Sequence, residues 1–330
     1  MPDSPFRVLV IGCGMIAGGY DEVHSDGGTV LSHAGAYRRS GCFEIVGCVE
    51  PDATRRKEFM EYWKVDRGFS SIDEALSDGI AFEVASVCSP TADHPTSLRK
   101  LLTTSVRAVF CEKPICESLQ EAVELADAYR KQNRILVVNY RRQWDPSMIR
   151  LAQDLKSGRW GKVLAGSVFY GKGLRHSASH IVDLLTLLLG PLEVCGRLGR
   201  RGDFVQSDPS HEAVLRTADG ASVVLLVGDD RAVSVFEVHL VTEKGLIDIE
   251  DSGHVLRVRP SRRDPRYPSH VTPSKGERIK TGLEDSIFFA VENLREALGT
   301  GATIRSGAES AIATMSICEQ IALSPSYYES

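Results

Sequence analysis

The chain has 330 residues, 42% of them hydrophobic and 25% charged, with a formal net charge of −5. That length exceeds one ordinary hydrophobic core and predicts two domains. Scattered basic residues exclude a nucleic-acid footprint or polybasic membrane patch, and no apolar run approaches the ~20 residues that span a bilayer.

The opening Met-Pro-Asp-Ser-Pro runs straight into an apolar strand and is no signal peptide, so a cytoplasmic location is expected. Val8 to Ile11 is β-branched and of strand length. Gly12-Cys13-Gly14 follows, and Met15-Ile16-Ala17-Gly18 reads as the first turn of a helix. Gly12 allows the turn, Gly14 lets backbone approach a pyrophosphate, and Ala17 or Gly18 keeps the helix close to the strand. The helix N-terminus offers N–H groups and a positive dipole end to phosphates. Gly12, Cys13, Gly14, Met15 and Ile16 are therefore candidate cofactor-binding residues. A tight strand-to-helix turn without a ligand has the same glycine pattern; the preceding strand favours the nucleotide.

Residues 19–32 are polar and glycine-bearing and read as an inserted loop at the cofactor mouth. Helical signal resumes at His33. The second strand, Phe43 to Glu50, ends on the acid that a dinucleotide-binding fold places on the adenosine ribose, ~20 residues past the glycines, plus the insertion. A carboxylate there accepts from the 2′-hydroxyl and repels a 2′-phosphate, which favours NAD. Arg55 and Arg56 keep NADP open. A helix is expected over 54–63, and Ser71 and Glu74 stand in capping-box register.

The buried strand from Val84 ends at Ser89-Pro90, and His94 lies just beyond. Open α/β sheets bind ligands at this carboxyl edge, so Ser89, Pro90 and His94 join the cofactor set; a surface or capping role for His94 stays open. Helix 95–103, strand 108–111, helix 119–132 and strand 135–140 follow. Strands alternating with helices predict a doubly wound parallel sheet. Glu112-Lys113-Pro114 ends the 108–111 strand. Low dielectric and a nearby cationic nicotinamide would lower the proton affinity of Lys113, which suits proton exchange with a hydroxyl. A solvent-facing lysine is the alternative. Eight cysteines, at 13, 42, 48, 88, 111, 116, 195 and 318, form no C-x-x-C pair. Reduced, mostly buried thiols are expected.

The pattern changes near residue 146, which divides the chain into 1–146 and 147–330, with packing of the C-terminal helices back on the first domain left open. Strands are expected at 162–170, 194–198, 211–217, 222–227, 233–241 and 244–249, with a hairpin turn at 217–221. Few helices among many strands predict a large, mainly antiparallel open sheet in an α+β domain. Residues 260–280 read as a long loop, and helices close the chain at 283–298 and 308–322. Between the first two strands, the helix 177–189 presents His176, His180 and Asp183 at i, i+4 and i+7, one face. With no Glu between the histidines and no third ligand, no metal site is expected. A polar helix N-terminus with a surface-paired Asp183 is the alternative.

The glycine turn, Glu112-Lys113-Pro114, the Asn139 to Pro146 segment, and the run from Gly173 through His176, His180 and Asp183 to Gly190 together resemble the Gfo/Idh/MocA oxidoreductases, across essentially the whole chain. The resemblance implies an N-terminal Rossmann domain and a C-terminal domain whose open sheet faces the cofactor and forms an oligomer interface. It places the catalytic lysine on Lys113, with Glu112 beside the cofactor, and the second-domain histidine on His180. The usual Asp four residues earlier is His176 here, and Gln143-Trp144 stands where Arg-Phe is common. Tyr140, Arg142, Trp144, His176, His180 and Asp183, with Lys113, become the implied substrate contacts. The implied function is an NAD-dependent sugar dehydrogenase oxidising a secondary hydroxyl, phosphorylated or nucleotide-linked, in a homodimer or homotetramer. The departures resemble members from deoxysugar, polysaccharide or antibiotic-sugar pathways. An NADP-dependent keto-sugar reductase, a bound-NAD epimerase or eliminase, and a non-catalytic sensor are the alternatives.

Overall fold

The computed structural model describes residues 4–23 and 28–326, without the side chains of 203 and 204. Six strands form the first sheet: β1 (Phe6–Ile11), β2 (Phe43–Val49), β3 (Gly68–Phe69), β4 (Val84–Val87), β5 (Ala108–Cys111) and β6 (Ile135–Val138). All pairs are parallel, in the order β3-β2-β1-β4-β5-β6. Parallel neighbours need crossovers, and these run through the helices His33–Ser40, Ala53–Trp63, Ile72–Ser77, His94–Leu101 and Leu119–Lys131. With helices on both faces, β1, β4 and β5 are near-continuous apolar runs rather than alternating ones. The strand order reverses at β1 and β4, which opens a crevice at their carboxyl ends.

Side-chain caps start most of these helices. Ser32 accepts from Gly35 N, Asp52 from Thr54 N and Arg55 N, Ser71 from Glu74 N, and Ser118 from Glu121 N. The expected capping box is shifted at its return arm, because the Glu74 carboxylate bonds the N–H and hydroxyl of Ser70 rather than Ser71. The expected 19–32 loop begins as helix: a π-helical turn, Met15–Gly19, passes into Tyr20–Val23. Residues 24–27 lie outside the described residues. At the far end, the Asp21 carboxylate accepts from Leu31 N at 2.8 Å and Ser32 N at 3.0 Å.

The chain forms two compact units, Met1–Trp144 with Glu284–Ile312, and Asp145–Leu283 with Ala313–Ser330. The division therefore differs from 1–146 and 147–330. The helix Ser286–Thr300 returns to the first unit, where Ile287, Ala290, Val291 and Leu294 join Tyr37, Phe43, Phe110 and Trp144 in one core. Trp144 Nε1 donates to Asn293 Oδ1 at 3.2 Å, and an Arg107 guanidinium N–H to Leu298 O at 2.9 Å. Apolar periodicity shows that a helix has a buried face; it does not say which core that face joins.

Nine strands form the second sheet: β7 (Val163–Tyr170), β8 (Leu192–Val205), β9 (Asp208–Thr217), β10 (Ser222–Val227), β11 (Phe236–Thr242), β12 (Gly245–Glu250), β13 (Val255–Arg263), β14 (Val271–Pro273) and β15 (Glu277–Lys280). Their order is β14-β13-β12-β11-β7-β10-β9-β8, with β15 on β13. Only β7–β10 is parallel. Alternate residues of β10 and β11 are buried, so one face carries a core, in which Val168, Leu215, Leu225 and Leu240 pack on Ile181, Leu184 and Leu185 of the helix Ser179–Leu189. The 260–280 segment is not a single loop: it holds the end of β13 and two short strands. Its arginines and serines sit on a largely exposed sheet margin, where backbone pairing, not side-chain burial, makes the strand. Among the described residues no helix is long and apolar enough to cross a membrane.

Leu294 is fully buried in the core of the first unit. Leu294→Ala is expected to destabilise the chain by about 2–5 kcal/mol, read as a lower denaturant midpoint in urea unfolding; a change below about 1 kcal/mol would mean that the returning helix is peripheral.

Candidate active site

The glycine turn sits where β1 reaches the crevice. Gly12 has φ +85°, and a Cβ there would lie 2.6 Å from Ser89 N and 2.8 Å from Cys88 C. The turn after β1 thus presses on the end of β4, and only glycine fits. A Cβ on Gly14 would meet nothing within 4 Å. Gly14 therefore leaves an open face at the start of the following turn, whose first N–H groups have no acceptor within the helix. Gly18 has a different job from the expected one: a Cβ there would collide with Trp63 and Phe59, so it closes the helix onto the helix Ala53–Trp63 rather than onto β1. Cys13 and Ala17 are buried; Met15 is half exposed and Ile16 partly buried.

Glu50 follows β2 and is 6% exposed. Its Oε2 accepts from Cys13 N at 3.0 Å and its Oε1 from Asp52 N at 3.1 Å. The acid is thus tied to the glycine turn across the sheet edge. The Arg55 guanidinium lies 3.5 Å from Oε1 with about half of its side chain exposed, while Arg56 donates to the Glu50 and Pro51 carbonyls. The open face at Gly14, the anchored acid and a buried Ser89 hydroxyl without a protein partner fit a dinucleotide: pyrophosphate at the turn, ribose at Glu50.

The ends of β4 and β5 carry the other candidates. Ser89 and Pro90 line the edge, the latter exposed. His94 is 1% exposed, with Nδ1 2.9 Å from Pro114 O and Nε2 2.8 Å from Ser89 O. Both ring nitrogens face main chain, so His94 braces the turn after β5 against the turn after β4 instead of meeting a ligand. Glu112 and Lys113 are partly buried. Glu112 Oε1 accepts from Asn139 Nδ2 at 2.6 Å and lies 3.1 Å from His33 Nε2. Desolvation raises the Glu112 carboxyl, but the bond and attraction from His33, the Asn139 bond and the Lys113 charge outweigh it and hold it below the usual carboxylate range. Burial pushes the neighbouring Cys88 and Cys111 thiols well up, and the chain's eight cysteines are all free.

His33, Ser86, Tyr37 and Asn139 are the residues that sequence reasoning missed here. The hydrogen bonds that join them to Glu112 and to one another span up to 79 positions, and no local pattern marks them. The Asn139–Pro146 segment is a 3₁₀ turn, Arg141–Trp144, leading into the helix Pro146–Lys156 capped by Asp145. Tyr140, Arg142 and Trp144 are buried. Trp144 lies against Phe110 edge-on, 6.0 Å between centroids, with its N–H on Asn293. It is a core anchor of the first unit, not the sugar contact expected for it, because its polar and apolar parts are both used inside that core.

In the second unit, the expected helix 177–189 is two elements: a π-helical turn, Gly173–Ala178, and the α-helix Ser179–Leu189. His180 and Asp183 share a face of the α-helix at i, i+3. His176 lies on the wider turn, so the strict i, i+4, i+7 register with it is lost. His176 is exposed, His180 partly buried and Asp183 1% exposed. Asp208 at the start of β9 holds the turn: its carboxylate accepts from Arg175 N and His176 N, each at 2.9 Å, and Ser210 Oγ accepts from Gly173 N at 2.8 Å. Sequence reasoning missed both. Asp208-Pro209 looks like an ordinary strand entry, and its role depends on where β9 falls beside the turn.

The profile of the Gfo/Idh/MocA oxidoreductases, described as an oxidoreductase family with an NAD-binding Rossmann fold, matches residues 6–140. An uncharacterized oxidoreductase of Schizosaccharomyces pombe is 30% identical over 124 residues, 37% of this chain and 33% of that protein. This chain thus spans about a third of that relative's length. An inositol 2-dehydrogenase of Rhizobium meliloti is 22% identical over 277 residues, 74% of this chain and 79% of that protein. Among solved structures, a 3-ketoreductase from Actinomadura kijaniata in complex with NADP and TDP-benzene superposes with a TM-score of 0.77 at 17% identity, covering 98% of each chain. That likeness extends the shared fold over both units.

Two outcomes check the geometry. Gly12→Ala is expected to destabilise the chain and to abolish dinucleotide binding, because of the backbone collision. Gly14→Ala is expected to melt within about 2 °C of the parent yet bind dinucleotide at least tenfold more weakly, which calorimetric titration would read. The lowered Glu112 carboxyl also has a pH signature. Its ionised form contributes stability in full above the unfolded value, about 4.3, and loses it as pH falls through the lower folded value. The melting difference between the parent and Glu112→Gln is therefore expected to be constant from pH 7 to about 5 and to shrink below that.

Proposed function

We propose, because residues 6–140 match the profile of the Gfo/Idh/MocA oxidoreductases, that the chain is an NAD-dependent dehydrogenase oxidising a secondary hydroxyl of a sugar, phosphorylated or nucleotide-activated, to a keto sugar. The observation that carries the reading is the placement of Lys113. It follows β5 at the carboxyl edge of the sheet that also bears the Gly12–Gly14 turn, with β4 between, about 10 Å across. A hydride acceptor bound along that edge supplies the redox chemistry. Lys113 takes the hydroxyl proton during oxidation and returns it to the forming hydroxyl in the reverse direction. Glu112 keeps a negative charge beside that amine, and the His94 brace fixes the turn that carries it. His180, His176 and Asp183 of the second unit act as ligands for sugar hydroxyls, with His180 a second candidate for proton exchange. Placement, more than any single group, supports rate.

Glu50 supports NAD: its anchored carboxylate suits a free ribose hydroxyl and opposes a 2′-phosphate. Arg55, half exposed and 3.5 Å from that carboxylate, favours a second reading, an NADP-dependent keto-sugar reductase. The NADP complex of the Actinomadura 3-ketoreductase and the name of the inositol 2-dehydrogenase support a polyol or keto-sugar substrate in either case. The free thiols suit a reducing compartment such as the cytoplasm. Phe169 and Val241, exposed on one face of the second sheet, support a second copy of this chain as partner.

The test begins with the dinucleotide released on mild denaturation of purified protein. NAD(H) is the expected result, followed by NADH production on a panel of sugars and sugar nucleotides. NADP(H) would overturn the Glu50 assignment and move it to Arg55. An empty protein with affinity for neither would turn the reading toward a regulatory sensor. Lys113→Ala is expected to lose turnover by at least 10²-fold while its dinucleotide affinity stays within about threefold; unchanged turnover would sink its role.

A further inference from the structure

The chain of buried polar groups behind Lys113 is unused by the proposed reaction. His33 opens the helix His33–Ser40 and is fully buried. Its Nδ1 lies 3.1 Å from Ser86 Oγ, and its Nε2 3.1 Å from Glu112 Oε1. Ser86 Oγ lies 2.7 Å from Tyr37 OH. The Phe110 ring, 4.2 Å from the imidazole, holds the ring plane. Burial pushes the Tyr37 phenol up, so Tyr37 keeps its proton and donates it to Ser86. Ser86 then donates to His33 Nδ1, and His33 Nε2–H donates to Glu112. Each O–H and N–H proton along the chain is donated once, Ser86 accepting one bond and giving the next, and the carboxylate is the final acceptor. The far end is Tyr37, fully buried, so the chain carries no proton to solvent. It can hold a ring in place and hold a charge.

The charge it holds is the one that Lys113 feels. Glu112 interacts with Lys113, with Arg141 and with the Cys88 and Cys111 thiols. Asn139 bonds the same Oε1 from the end of β6. Without its donors, a carboxylate in this position would face the cost of burial and take up a proton.

We propose that His33 is a positioning residue for Lys113: through its Nε2–H bond it keeps Glu112 ionised beside the lysine and so sets the proton affinity of the Lys113 amine above what a neutral neighbour would give, while leaving the amine able to exchange its proton. The inference rests on Lys113 being the acid/base of the proposed reaction for its meaning, but it can be read without dinucleotide or sugar. The rigid start of the helix explains why this histidine can do it. Ser32 caps the helix and is itself clasped by Asp21, which bonds its N–H and its hydroxyl. His33 therefore enters the sheet edge from a fixed turn.

The experiment is lysine labelling of the full chain by an amine-reactive acetylating reagent at pH 7.5. Modification of Lys113 is followed by peptide mass spectrometry relative to the exposed Lys131. Only the neutral amine reacts, so a shift of one pH unit in its proton affinity changes the rate about tenfold. Glu112→Gln keeps an acceptor for both donors and removes the charge; it is expected to speed Lys113 labelling about 3- to 10-fold. His33→Leu should do the same, and the double variant should be no faster than Glu112→Gln alone. His33→Gln, whose amide N–H can occupy the place of Nε2–H, should stay within about twofold of the parent. If His33→Leu does not fold, His33→Asn, too short to reach Glu112, takes its place with the same expectation. An unchanged rate in the His33 variant, a multiplied effect in the double variant, or a His33→Gln rate as high as that of His33→Leu would overturn the inference. Turnover of Lys113→Ala judges the proposed function separately, so the two can fail independently.

Discussion

A largely buried carboxylate at the edge of an apolar sheet is the constraint on which the first unit turns. Glu112 follows a strand whose four residues are all fully buried. Leaving such a group without donors costs several kcal/mol. The fold meets that cost from two sides, with His33 from the first crossover helix and Asn139 from the end of β6. Because these donors belong to different elements, the sheet order and the helix start must both be correct before Glu112 is satisfied. The same requirement fixes the backbone that presents Lys113. Satisfying a buried charge and placing a reactive amine are one structural problem here.

The glycine turn solves a related problem by omission. Backbone of β1's exit meets backbone of β4's exit at Gly12, at a distance that no side chain tolerates. Two residues on, Gly14 leaves its face open. Glu50 then ties this turn to the end of β2 through Cys13 N. The three exits β2, β1 and β4 are thus locked together at the point where the strand order reverses. That locking fixes the backbone at the edge where the open face of Gly14 lies.

In the second unit the equivalent device is Asp208. A π-helical turn leaves N–H groups at its start that have no acceptor within the turn. Asp208 and Ser210 supply acceptors from a neighbouring strand. His176 therefore stands on a turn fastened to the sheet, and His180 on the helix that this turn opens, not on a fraying end. His176 falls on the exposed part of this turn, where the backbone bond to Asp208 is indifferent to the side chain.

Much of this was legible in the sequence. The β-branched run before Gly12-Cys13-Gly14, the alternation of strands and helices to residue 140, and the later crowding of strands state the two sheet types, because burial on both faces or on one writes itself into local hydrophobic pattern. Lys113 and Glu50 could be placed for the same reason: each follows a strand that the pattern reveals. The sequence by itself left open whether the closing helices pack back on the first core and could not say which one does, that Trp144 is an anchor, that polar 260–280 forms strands, or that His33 and Asp208 serve residues many tens of positions away. Those facts depend on which surfaces meet and on which donor finds which acceptor. A periodicity describes a face without naming its partner, and only the folded chain, by bringing distant groups within hydrogen-bonding distance, decides the pairing.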